Sequence, residues 1–182
     1  MGFLSSVISV IQKKYDVGET THNNVFYKIV ASESINGKER YKIQCINTNA
    51  IFQMGICEII NDMEILQHLH PVQACYVGIE YAKNPFPITE DIFLKNIKKG
   101  GSLHERSTFH LKHQDREGKI CFIDRRSDQE FLMDPKDIAL SKELIEKFSS
   151  KQAFRIGIMA GQKIQNPVKI SQYKKPFLQL VK

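Results

Sequence analysis

QACYVGIEYA (residues 73–82) and QAFRIGIMAG (residues 152–161) share Gln, Ala, Gly and Ile at matching positions, 79 residues apart. Glycines in such stretches invite two readings, a loop that cradles a ligand or a helix that packs closely. A phosphate-binding loop needs glycines at a strand-to-helix turn, in spacings such as G-x-G-x-x-G, so that free N–H groups converge on the anion. Neither stretch has that spacing. Instead Ala74, Gly78 and Ala82 recur every fourth residue, as do Ala153, Gly157 and Gly161. Residues four apart share a helix face, so each stretch reads as a helix with a narrow stripe of small residues. Glycine inside a soluble helix costs about 1 kcal/mol relative to alanine. Its recurrence at one position therefore implies a steric demand there.

The match extends without a gap from residues 52–82 onto 131–161. Phe52/Phe131, Met54/Met133, Ile59/Ile138 and Glu64/Glu143 are identical, and Ile65/Leu144, Leu66/Ile145, Leu69/Phe148 and Val77/Ile156 keep their type. Upstream of each block lies strand-like sequence. VFYKIVA (25–31) and RYKIQCI (40–46) flank the turn signal Asn36-Gly37, with a loop read as longer than two residues, and STFHLKH (107–113) and KICFID (119–124) flank DREG. Strands and helices are segregated, with no βαβ rhythm, which predicts an α+β fold. Each half is expected to be a strand hairpin, a short strand and a helix pair, an internal duplication whose small-residue stripes meet about a pseudo-twofold axis. The domain reading is one fused unit over 1–182, with an amphipathic helix in 1–18, repeat 1 over 19–100 and repeat 2 over 101–182. A further helix is predicted over TEDIFLKNIKKGG (89–101). Asn61-x-x-Glu64 and Ser149-x-x-Gln152 are capping patterns in which a side chain serves a free first-turn N–H. That reading assigns Gln73 and Gln152 to helix initiation.

No window approaches the roughly 18 apolar residues of a membrane span, and the start of the chain lacks a signal-peptide pattern. The expectation is a cytoplasmic protein, or one delivered into a host cell without a cleavable signal; the richness in Lys, Ile and Asn resembles proteins of AT-rich bacterial genomes. Cys45, Cys57, Cys75 and Cys121 lie in apolar segments without C-x-x-C spacing and read as reduced core residues. The 26 Lys plus Arg against 20 Asp plus Glu leave a net charge of +6, which favours acidic partners. The basic residues are scattered, however, with short clusters at Lys95-Lys98-Lys99 and Lys169-Lys174-Lys175. MGFLSS fits the N-myristoylation pattern, so residues 2–14 are a candidate peripheral membrane contact.

Chemistry-bearing residues are sparse. His104, His110 and His113, with His68 and His70, lack metal-motif spacing, and on a regular strand His110 and His113 point to opposite faces. They read as surface histidines, and neither a metal nor a cofactor is expected. Cys75 with His70 is a formal nucleophile pair, but Cys75 aligns with Phe154, which favours packing. Asp124-Arg125-Arg126-Ser127-Asp128 is the most polar segment of the second half, and paired arginines grip carboxylates or phosphates. The function expected is a non-enzymatic interaction module. Its partner is expected to be a protein, with a second copy of the chain as a further candidate. The alternative is a nucleic-acid-binding protein with Arg125, Arg126, Lys98, Lys99, Lys174 and Lys175 on phosphates, and after it an enzyme with a dispersed His/Cys site.

Overall fold

The computed structural model describes residues 25–85 and 107–165, together with the backbone of 179–180. The amphipathic helix expected in 1–18, the helix expected over 89–101, His104, and Lys95, Lys98, Lys99, Lys169, Lys174 and Lys175 lie outside these residues.

In the first half, β1 (Tyr27–Ile35) and β2 (Lys38–Cys45) form an antiparallel hairpin. They run further than their apolar cores, so the loop is the two-residue Asn36-Gly37 rather than a longer one. Both residues have positive φ, 53° and 74°, which asparagine and glycine tolerate and which matches the twist of the flanking strands. β3 (Ile51–Met54) adds antiparallel to β2. Three helices follow, where a pair was expected: α1 (Ile56–Asn61), α2 (Met63–His68) and α3 (Pro71–Lys83). The extra helix arises because Gly55 and Asp62, rather than Asn61, are the caps. The Glu58 carboxylate takes the Gly55 N–H at 2.5 Å, and Asp62 Oδ1 takes the Ile65 N–H at 3.2 Å. His70 caps α3 through Nδ1, which accepts from Val72 N–H at 3.3 Å, and Pro71 supplies a first helical residue with no N–H to satisfy.

The second half runs through β4 (Phe109–Gln114), β5 (Ile120–Asp124), β6 (Gln129–Met133), α4 (Pro135–Leu140), α5 (Lys142–Ile145) and α6 (Ser150–Gln165). The architecture is α+β, with β1-β2-β3 as one antiparallel sheet and β4-β5-β6-β7 as the other, where β7 (Gln179–Leu180) lies on β6. Residues 179–180 thus pair within the chain. α1 and α4, α2 and α5, and α3 and α6 begin 79 residues apart. Finer features also correspond. The register slips between Ile29 and Ala31 in β1 and between Leu111 and His113 in β4. Asn49 and Asp128 both adopt positive φ, 57° and 55°, each with its N–H on a carbonyl four residues back at 2.8 Å.

α3 and α6 pack on each other more extensively than any other pair of helices, and one hydrophobic cluster draws on both halves, including Ile29, Tyr41, Ile43 and Leu66 with Phe122, Ile138, Phe148 and Phe154. The small-residue stripes lie in the α3–α6 contact. A β-carbon on Gly78 would press on the Phe154 carbonyl and stand 2.9 Å from Ile158 N. On Gly157 it would press on the Cys75 carbonyl, 2.8 Å from its carbon, and on Gly161 it would sit 2.6 Å from Ala82 Cβ. Cys75 and Phe154 are themselves 79 apart, so the contact is reciprocal. Ala74 and Ala153 are fully buried beside it.

The repeated glutamines do not initiate helices. Gln73 is buried and its amide spans the backbone of β1: Oε1 accepts from Ile29 N–H and Nε2 donates to Ile29 C=O, each at 2.8 Å. The register slip in β1 follows immediately after Ile29, and Gln73 supplies the pairing that an adjacent strand otherwise would. Gln152 keeps half of the capping box, its N–H on Ser149 Oγ at 3.4 Å, while its side chain turns to His110. Among the described residues no helix is long and apolar enough to cross a membrane.

Candidate functional site

The two halves differ most in charge at the turn after their second strand. In the first half it reads Ile46-Asn47-Thr48-Asn49; the corresponding residues of the second are Arg125-Arg126-Ser127-Asp128. Asp124 organises this β5–β6 turn, its Oδ1 accepting from Arg126 N–H at 2.8 Å. Such an Asx turn holds the backbone without help from the arginine side chains. Arg125 and Arg126 are both exposed.

Arg125 is nonetheless anchored. Its Nη2 lies 3.1 Å from His110 Nδ1, and Gln152 Nε2 lies 3.2 Å from the same nitrogen. Two N–H donors thus converge on Nδ1, which is placed to accept from them. Gln152 is only 7% exposed, and its Oε1 is buried without a hydrogen-bond partner among the described residues. Lys147 joins from the loop before α6. Its carbonyl accepts from Phe109 N–H at 2.9 Å, and its ammonium stands 5.0 Å from the centre of the Phe109 ring. The adjoining strand end is tied to the turn by Arg125 N–H on Thr108 C=O, 2.9 Å. Arg125 thus stands against a half-buried histidine, with exposed Arg126 beside it in the turn and Lys147 tied to the adjoining strand, a set of cations suited to gripping carboxylates or phosphates. At the corresponding place in the first half, the His68 ring lies tilted against Phe26 with ring centres 4.6 Å apart.

The structure brings together Arg125 and Arg126 of the sequence-derived anion contacts. Lys98, Lys99, Lys174 and Lys175 lie outside the described residues. His110, Lys147 and Gln152 join the patch without having been expected there. For Gln152 the identity with Gln73 marked the position but not its use, since the two make different bonds. No linear spacing pointed to the other two.

Other chemical candidates are re-placed. His70, expected on the surface, is 1% exposed; it is the α3 cap, with Nε2 3.8 Å from Glu146 Oε1. The register slip in β4 sets His110 opposite Ile123 and His113 opposite Cys121, so the two histidines share a face rather than opposing. Among the described residues no three His, Cys, Asp or Glu side chains gather to hold a metal. Burial pushes the Cys75 thiol up to about 12, which keeps it protonated at neutral pH and opposes nucleophilic use with His70. Cys121 is buried too and its thiol is raised by burial and by Glu130. Cys57, expected in the core, is exposed, because it falls on the outer side of α1 while Ile59 and Ile60 turn inward.

No protein-family model, no curated protein and no solved structure matches this chain.

Proposed function

We propose that the chain is a non-enzymatic binding module that engages an acidic surface or segment of another protein through Arg125, Arg126 and Lys147. The observation that carries this reading is the contrast between the two turns. Asn49 and Asp128 hold the same backbone conformation, yet the first turn carries no charge and the second presents two exposed arginines between Asp124 and Asp128. The turn's backbone is held by Asp124 and by its own hydrogen bonds, and we read the exposed arginine side chains as serving a partner. The same reading takes the chain as an internal duplication in which one copy supplies architecture and the other has acquired the contact.

Binding of the full chain to poly-glutamate and to duplex DNA, measured over a salt series, tests this. The Arg125→Ala/Arg126→Ala variant is expected to keep its melting temperature and to bind poly-glutamate roughly tenfold or more weakly, as loss of charge-assisted hydrogen bonds implies. Tight DNA binding with a steep salt dependence, or poly-glutamate binding unaffected by the variant, would sink the proposal.

A further inference from the structure

α6 is almost wholly enclosed over its first three turns. Between Ser150 and Gly161 its side chains are buried except at Lys151, Arg155 and Ile158, which are partly exposed, and Gln162 continues their line in full exposure. Intervals of four, three and four residues follow one stripe of an α-helix, so these side chains form the outward seam of α6. The first part of the seam is cationic. Lys151 and Arg155 stand one turn apart, about 6 Å along the axis, and exposed Lys147 precedes Lys151 by four residues. The corresponding residues of the first half are His68, Val72 and Tyr76, and Tyr76 is buried with its ring centre 6.3 Å from that of Tyr41.

Among the described residues no carboxylate stands within ion-pair reach of Lys147, Lys151 or Arg155, whereas Lys112, Lys119, Lys142 and Lys163 of the same half each have one. Glu146, next to Lys147 in the chain, is turned to Lys142 and His70. Arg155 is partly withdrawn from water, and burial holds its guanidinium below the usual arginine pKa. A cation desolvated without an acid gains when one arrives. Gln152, beside Lys151, reaches His110, on which Arg125 also bears, so the seam adjoins the Arg125 turn.

We infer that the α6 seam receives an acidic amphipathic helix of the partner protein, with carboxylates one turn apart on Lys151 and Arg155 and an aliphatic side chain on Ile158. The inference rests on the proposed acidic contact at the Arg125 turn and specifies the partner that makes it. Carboxylates four residues apart on a helix repeat at about 6 Å, the interval of the cations they meet, and a seam of alternating four- and three-residue steps is the one along which helices lie side by side. A phosphate backbone offers charge alone and nothing apolar for Ile158.

The test measures binding of the full chain to two synthetic peptides of identical composition, each locked as a helix by a hydrocarbon bridge. One carries Glu at every fourth position with Leu three residues beyond; the other has the same residues scattered around the helix. Poly-glutamate and duplex DNA complete the probes. The variants are Lys151→Gln/Arg155→Gln on the seam and Arg125→Ala/Arg126→Ala at the turn. The striped peptide is expected to bind at least about tenfold tighter than the scattered one, and the seam variant to abolish that preference. Lys151→Gln alone, which keeps the partly buried stem of Arg155 in place, is expected to weaken striped-peptide binding at least about threefold. Equal binding of the two peptides, or a preference that both seam variants keep, overturns the inference; if the turn variant still weakens poly-glutamate binding, the acidic contact stands without it. Poly-glutamate binding that the turn variant leaves unchanged overturns the acidic contact and the inference built on it. Duplex DNA bound more tightly than the striped peptide, and lost in the seam variants, overturns the inference in favour of nucleic acid.

Discussion

At the residue scale the instructive pair is Gln73 and Gln152, identical in type and equivalent in position but different in use. Gln73 satisfies a buried N–H and a buried C=O of Ile29. Its replacement leaves both groups unpaired, at about 1–3 kcal/mol each. Gln152 leaves its own Oε1 unpaired, among the described residues, in a buried setting, so an apolar side chain of similar size removes a desolvated acceptor at the loss of one contact to His110. The expected outcome is that Gln73→Leu destabilises by about 2–4 kcal/mol, whereas Gln152→Leu changes stability by less than about 1 kcal/mol. Denaturant titration of both variants checks this, and equal losses would show that the fold depends on the two glutamines alike. His110 also depends on Gln152 and Arg125 for its orientation, which makes Gln152→Leu a probe of the basic patch with little effect on the fold.

At the scale of elements, the contact between α3 and α6 rests on the absence of side chains. Because the groups facing Gly78 and Gly157 are backbone carbonyls, no rotamer change can make room and the helices must part. Gly78→Ala and Gly157→Ala are each expected to destabilise by about 1–3 kcal/mol or more, the range for overpacking a well-filled core, despite alanine's better helix propensity. A thermal melt unchanged by either substitution would contradict this packing. Helix α4 offers a pH test. Burial first, and then the neighbouring Asp134, raise the Asp137 carboxyl above its usual range. A carboxyl whose folded value is raised disfavours ionisation in the fold, so the stability it allows is greatest below its unfolded value and falls as pH rises through the folded one. Asp137→Asn is therefore expected to raise the melting temperature at neutral pH, with the difference shrinking in acid. A difference that instead widens as the pH falls would reverse the sign.

For the whole molecule, the shared cluster predicts cooperativity. Ile43 and Leu66 of one half and Phe122 and Phe148 of the other belong to the same core, so neither half can lose its packing alone. Far-ultraviolet and near-ultraviolet signals are expected to change in a single coincident transition; two resolved transitions would show halves that unfold separately. The faces that the two halves turn toward each other are consumed by packing, and among the described residues the halves differ at their outer turns, one bearing arginines and the other uncharged.

How much of this was legible in the sequence depended on the range of the interaction. The α+β class, the turn signal at Asn36-Gly37 and the small-residue stripes follow from patterns within a few residues of each other, where backbone sterics and periodicity act directly. The short helices were not legible, because their caps are chosen among adjacent polar residues, Asn61 or Asp62, and only the chain's path decides which side chain reaches a free N–H. The uses of Gln73, Gln152, His70 and His110 were invisible for a related reason. Each is set by a partner distant in sequence: β1 for Gln73, Glu146 near His70, and the β5–β6 turn for His110. The spacing of small residues along the chain is enough to require that two glycine-bearing helices pack closely. Which polar groups that packing buries with partners, and which it strands, is set by contacts between residues far apart in the chain.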